Sequence, residues 1–284
     1  MRIVKEHFGN GADEPDTTRW GRRRTWAKSV IERGTARVAG LLPVVLLKRL
    51  EIFARLGQGK GWGGSSTSRE VDACLSLISS EVKSNLRVVD VGANVGSWSS
   101  ALLDRHRNAE VWAFEPSETA SQILRQRFKG VSNLRIFRNA VSADKEEKTL
   151  YFDRPGSALS SLSKRRLDHF NIGFNGSEQI SSIRLDDLCR SHDWWPHIIK
   201  LDIEGHELGA LSGAETAMRR ASLIQFEFGG ANIDSRTFFQ DFYYLLSENG
   251  FKIFRISPWR LIKIDKYSEL DEVFQTTNFI AIRR

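Results

Sequence analysis

Only two cysteines occur in the 284 residues, Cys74 and Cys189, and they stand far apart. Neither a disulfide framework nor a Cys/His metal cluster therefore organises the chain, and a reducing, cytoplasmic setting is expected. Long apolar runs are also missing. The longest, Val38 to Leu47, has about half the roughly 20 residues needed to cross a bilayer. It lies too far from Met1, and lacks a small-residue cleavage site, to read as an ordinary secretory leader. There is no internal repeat, and no nucleic-acid recognition motif accompanies the net charge of +7. That charge is concentrated: residues 1–69 hold 14 Lys and Arg against 6 Asp and Glu, while the rest of the chain holds 28 against 29. The basicity belongs to an N-terminal extension, and nucleic acid is not the expected partner.

Within that extension, Met1 to Thr18 has mixed charge and almost no periodicity, so it is expected to be disordered. Arg19 to Leu56 mixes Trp20, Trp26, Leu41, Leu42 and Val44 to Leu47 with Arg22 to Arg24, Lys28, Lys48 and Arg49. This reads as two helices interrupted near Gly40 and Pro43. Such basic, apolar helices suit a peripheral position at the inner, anionic membrane surface or a partner protein; packing against the main domain is the alternative. Gln58 to Ser68 (QGKGWGGSSTS) reads as a linker, and residues 70–284 as the domain proper.

The domain is organised around Leu86 to Ser99, LRVVDVGANVGSWS. Val88, Val89 and Val91 flank Asp90 in a stretch of strand length, and Gly92 and Gly96 stand where the strand must turn into a helix. A glycine there lets backbone approach a ligand, and a helix N-terminus offers free N–H groups. The pattern D-x-G-x-N-x-G puts Asn94 where a dinucleotide fingerprint wants its second glycine, which disfavours a nicotinamide-linked oxidoreductase. A second run, Glu110 to Phe114, ends in Glu115, an acid placed to accept both hydroxyls of an unmodified ribose. Asn139 follows the third strand and is a candidate for a base edge. A plain turn with a surface glutamate is the competing reading of the loop.

From there strands and helices alternate: strands over 86–91, 110–114 and 134–138, helices over 96–105 and 118–128, a short strand over 149–153, then strands over 198–203 and 223–228. A helix over 238–246 follows, and 251–256 with 278–282 close the fold as an antiparallel pair. Alternation of this kind requires an α/β fold with a parallel sheet, helices on both faces and a ligand crevice at the strands' carboxyl ends.

At one of those ends lie Lys200, Asp202, Glu204, His206 and Glu207, with Glu227 on the neighbouring strand. Period-2 alternation puts Lys200 and Asp202 on one side. A histidine beside carboxylates can act as general base, and Asp202, Glu204 and Glu227 together are placed to hold a divalent cation through oxygen ligands. Arg154 to Arg166 (RPGSALSSLSKRR) is polar and basic, suited to closing over a site.

VVDVGANVGSWS, AFEPS, NAVSADKEEKTLYF, ISSIRLDDL, IIKLDIEGHELGALSGA and LIQFEF, in this order over residues 70–284, resemble the FkbM family of S-adenosylmethionine-dependent methyltransferases, with KLDIEGHE the most specific piece. The resemblance implies a Rossmann-like seven-stranded methyltransferase sheet, S-adenosylmethionine as donor, and O-methylation of a sugar, glycan or glycolipid-type hydroxyl. It places Asp90, Gly92, Asn94 and Gly96 at the amino-acid end of the donor, Glu115 at its ribose and Asn139 near its adenine. Asp202, Glu204 and His206 would border the transferred methyl, Asp202 and His206 sharing the work of a base. Arg154, Lys164, Arg165 and Arg166 would meet phosphate on a nucleotide-sugar or lipid-linked acceptor. Two absences agree with oxygen as acceptor: no Pro-Pro-aromatic turn follows Leu201, and no Pro-Cys pair exists. The functional alternatives are a non-enzymatic adaptor on this fold and the oxidoreductase already disfavoured.

Overall fold

The computed structural model describes residues 34–63 and 67–283. The expectations for Met1 to Thr18 and for residues 19–33 lie outside them. The chain divides into two units, Met1–Ala54 and Arg55–Arg284. Residues 34–39, in the first, are helical, and the helix Val44–Gly57, which follows a break at Gly40 to Pro43, runs past the boundary at Ala54.

In the second unit, parallel pairing builds a central sheet from β1 (Arg87–Val91), β2 (Glu110–Phe114), β3 (Leu134–Phe137), β7 (Ile198–Leu201) and β8 (Leu223–Phe228), in the order β3-β2-β1-β7-β8. β11 (Thr277–Arg283) pairs antiparallel with β8 and with β9 (Phe251–Ile256), the closing pair expected from the sequence. β10 (Leu261–Ile264) adds an eighth strand at the edge by a hairpin on β9. β4 (Ala140–Val141), β5 (Glu147–Phe152) and β6 (Gly176–Ile183) form a separate three-stranded sheet.

Near-continuous apolar strands are the mark of a sheet covered on both faces, and each face has its own core. On one, Val88, Val111 and Ile198 pack with Val71, Cys74, Trp98, Leu102 and Leu124 of the helices Thr67–Leu77, Ser97–Arg105 and Glu118–Arg127. On the other, Val89, Phe114, Leu201 and Phe226 pack with Leu185, Leu211, Met218 and Phe242 from the helices Leu185–His192, Glu207–Ser212, Glu215–Arg220 and Phe239–Glu248. The Leu185–His192 helix is an element that the strand and helix pattern given above does not include. Its Asp186 carboxylate accepts from the backbone N–H groups of Thr216 and Ala217, both at 2.8 Å, and so caps the Glu215–Arg220 helix.

Part of the glycine-rich run read as a linker is docked in the second unit. Gly63 N–H donates to Thr276 O at 2.6 Å, Gly61 N–H to Thr277 Oγ1 at 2.9 Å, and Lys60 Nζ to Leu270 O at 2.5 Å. The added Cβ of any other residue at Gly63 would stand 2.5 Å from the Thr276 carbonyl carbon, so this run is glycine-rich for close packing over its docked part.

The parallel register sets Asp90 of β1 beside Lys200 of β7. Both are buried, and Lys200 Nζ meets Asp90 Oδ1 at 2.9 Å. Removing one partner leaves an uncompensated buried charge. Lys200→Met is expected to lower stability by roughly 3–5 kcal/mol, and adding Asp90→Asn to recover much of that loss. Denaturant unfolding of the two single variants and the double variant measures the coupling.

Candidate active site

The loop after β1 turns at Gly92, whose φ is +74°. An added Cβ there would stand 1.9 Å from the Asp202 carbonyl oxygen, so glycine is needed because two strand-end loops cross in contact. Asn94 also takes a left-handed conformation, φ +47°, and its N–H donates to Glu115 Oε2 at 2.8 Å. Ser117 N–H donates to Glu115 Oε1 at 2.9 Å. Glu115 is thereby fixed at the end of β2 with acceptor capacity left on each oxygen. Burial pushes its carboxyl up to about 7, against the pull of these two N–H donors.

These groups open into one cavity. Its walls include Gly92, Asn94, Phe114, Glu115, Asn139, Asp202, Glu204 and His206, with Ser157, Ser160 and Ser161 from the polar loop. Seven of the nine candidate residues therefore converge. Asp90 and Gly96 do not line it. Asp90 lies beneath, accepting from Ser99 Oγ at 2.6 Å and paired to Lys200. Gly96, φ +83°, faces away: an added Cβ would meet Leu124 and Phe128 at 2.6 and 2.4 Å, which makes it a helix-packing glycine.

At the β7 end, Glu207 is buried and accepts from Ile203 N–H at 3.0 Å and Gly205 N–H at 3.2 Å, tying down the turn between strand and helix. The same turn leaves Glu204 at φ +54°. Its carboxylate pairs with Arg165, whose Nε also faces Asp234 Oδ2 at 3.4 Å. Arg165, expected to meet phosphate, is instead nearly buried between two carboxylates of its own chain. The expected cation site does not assemble either. Glu204 is committed to Arg165, and among the described residues no three His, Cys, Asp or Glu groups are arranged to hold a metal ion.

His206 Nε2 shares a hydrogen bond of 3.0 Å with Ser163 Oγ, and burial, with Lys148 adding to it, lowers the imidazole to about 4. It is neutral at physiological pH and a weak base there. Asn139 Nδ2 donates to Ser181 Oγ at 3.2 Å across the small sheet. Sequence reasoning missed the apolar walls Phe114, Val141 and Leu150. Phe114 closes the strand that leads to Glu115, and that adjacency was the available signal.

The profile of the methyltransferase FkbM domain matches residues 90–253. The chain belongs to the FkbM methyltransferase family. It is similar to the 2-O-methyltransferase NoeI of Sinorhizobium fredii, 24% identical over 200 residues that cover 66% of this chain and 79% of NoeI. The hexuronic acid methyltransferase AglP of Haloferax volcanii is 26% identical over 155 residues, 54% of this chain and 60% of AglP. Among solved structures, a fibrillarin pre-rRNA processing protein of Methanococcus jannaschii covers 77% of this chain, and the match 76% of that protein, at 12% identity and a TM-score of 0.42.

Methyltransferases of the FkbM family use S-adenosylmethionine, and the residues present fit it. Glu115 presents a desolvated carboxylate that would suit two ribose hydroxyls, and Phe114 and Val141 present apolar surface that would suit a base. Loss of two hydrogen bonds to a charged acceptor corresponds to a drop of roughly tenfold or more. Calorimetric titration of Glu115→Ala with S-adenosylmethionine is expected to show at least that loss. The ionised carboxylate is the form that accepts two hydroxyls, so wild-type affinity is expected to be full in mildly alkaline buffer and to weaken as pH falls through about 7.

Proposed function

We propose that the protein transfers the methyl group of S-adenosylmethionine to a hydroxyl of a sugar, glycan or glycolipid-type acceptor. The observation that carries this reading is the cavity lined together by Glu115, at the end of β2, Gly92 of the loop after β1, and Asp202, just beyond β7. It suits a donor with a ribose at one end and a transferable group at the other. Support for the acceptor comes from the two similar proteins, one a 2-O-methyltransferase and the other a methyltransferase of hexuronic acid. Methyl transfer from a sulfonium is an in-line displacement, so the protein's task is to hold methyl carbon and hydroxyl oxygen close and aligned. Asp202 borders the point where they meet. Incubation with methyl-labelled donor and unmethylated oligosaccharide and glycolipid fractions is expected to leave label in a sugar methyl ether. Label on nitrogen or carbon, or on no saccharide, contradicts the reading.

We infer further that the extension rests peripherally on an anionic membrane. The helix Val44–Gly57 has no buried residue; Val44 and Phe53 are 66% and 78% exposed, and Lys48 and Arg49 are interleaved with them. Among the described residues no helix is long and apolar enough to cross a membrane. Apolar side chains with basic neighbours suit the interfacial plane instead. The full chain is expected to sediment with phosphatidylglycerol vesicles and not with phosphatidylcholine vesicles, and Phe53→Glu to weaken that binding. Equal recovery with both lipids, or no effect of Phe53→Glu, contradicts it.

A further inference from the structure

A second cavity adjoins the first and shares Gly92, Asn94, Ala158 and Asp202 with it. Its other polar walls include Glu70, Lys200, Glu227 and Asn278. Most are committed. Glu70 accepts from Gln225 Nε2 at 2.8 Å and from Asn278 Nδ2 at 2.9 Å; Lys200 is paired to Asp90 and donates to Gly92 O at 3.0 Å. Glu227 is different: its backbone is paired with Asn278 of β11, but its carboxylate makes no hydrogen bond or ion pair with any described residue. Its position follows from register. β7 and β8 pair Lys200 with Gln225 and Leu201 with Phe226, so Glu227 comes level with Asp202, and alternation turns both to the same side of the sheet.

On the donor reading proposed above, we propose that this second cavity receives the acceptor and that Glu227 is the catalytic residue that takes the proton from its hydroxyl. The hydroxyl proton passes to a Glu227 carboxylate oxygen as the oxygen–methyl bond forms and the methyl–sulfur bond breaks, with that bonding pair left on sulfur. The products are the methyl ether, the neutral thioether and a protonated Glu227 that releases its proton to solvent.

The surroundings suit the role. Burial and then the charges of Asp202, Glu204, Glu207 and Glu70 push the Glu227 carboxyl well above the ordinary carboxylate range. A general base works best when its pKa approaches the working pH. Glu70 on the Thr67–Leu77 helix and Lys200 and Asp202 at β7 line this cavity with Glu227; Asp90 lies beneath, paired to Lys200, and Glu204 and Glu207 act on Glu227 through their charges from beyond β7. Lys200 is already shared with Asp90, so a cation entering beside Glu227 lowers its pKa and favours the carboxylate. His206 lines the donor cavity alone and is too acidic to compete.

The test compares two donor analogues by calorimetry: S-adenosylhomocysteine, which lacks the methyl, and sinefungin, which carries an ammonium in its place. Wild type is expected to prefer sinefungin by roughly tenfold or more, as for an added charge-assisted contact. Glu227→Gln is expected to keep its affinity for S-adenosylhomocysteine and to lose that preference. In wild type the ratio of the two affinities is expected to fall on acidification, a readout in which the contribution of Glu115 cancels and no variant is needed. A preference that survives in Glu227→Gln, equal affinities in wild type, or a ratio that does not move with pH overturns the assignment. Failure of wild type to bind either analogue overturns the donor reading itself, and this inference with it.

Discussion

The contact on which the rest of the site depends is the buried ion pair between Asp90 and Lys200. Burial alone would drive Lys200 toward the neutral amine, but Asp90 and Asp202 outweigh it and hold the ammonium charged. The ammonium also donates to the Gly92 carbonyl, and Asp90 accepts from Ser99 on the next helix. One pair of charges thus ties together two strands, the loop between β1 and its helix, and the helix itself. A pair like this adds little net stability over an apolar pair of the same shape, while half of it is costly. Its contribution here is geometric: it specifies which strand ends lie together, and therefore where Asp202 and Gly92 meet.

Around that pair the protein keeps carboxylates in a poorly solvated place and satisfies them unequally. Glu207 is held by two backbone N–H groups of its own turn, Glu115 by two from neighbouring loops, and Glu70 by Gln225 and Asn278. Gln225 in turn accepts from Trp98 Nε1 at 3.0 Å and Cys74 Sγ at 3.2 Å. Burial leads the forces that raise Glu70, Glu115, Glu207 and Glu227. The donor is a cation, and a cavity with this excess of acids accepts positive charge more readily than negative. Arg165, which reaches the site through Glu204, is spent on that carboxylate and on Asp234.

Strands with runs rich in β-branched, leucine or aromatic residues, such as Val88 to Val91 and Leu223 to Phe228, were legible because a sheet covered on both faces demands that composition. The glycine turn, Glu115 and the Asp202 to His206 cluster were legible because strand ends are where such a sheet binds ligands. Other features depend on partners distant in sequence. Gly92 is glycine because of Asp202, Gly96 because of Leu124 and Phe128, and Gly63 because of Thr276. The short strand Ala140–Val141 exists through its pairing with Ser182 and Ile183, and the Leu185–His192 helix is knitted in by Asp186 reaching Thr216 and Ala217. The commitment of Arg165 to two distant acids, and the lack of a described hydrogen-bond or ion-pair partner for the Glu227 carboxylate, have no local signature.

The central claim is that the donor lies across the carboxyl ends of β1, β2 and β7, above the buried Asp90–Lys200 pair. A crystal structure of the full chain with S-adenosylhomocysteine tests it directly. The account predicts the ribose hydroxyls on Glu115, the base between Phe114 and Asn139, and the thioether sulfur beside Asp202. Density for the ligand away from Glu115, or a bound state in which the Asp90–Lys200 pair is broken, would contradict it.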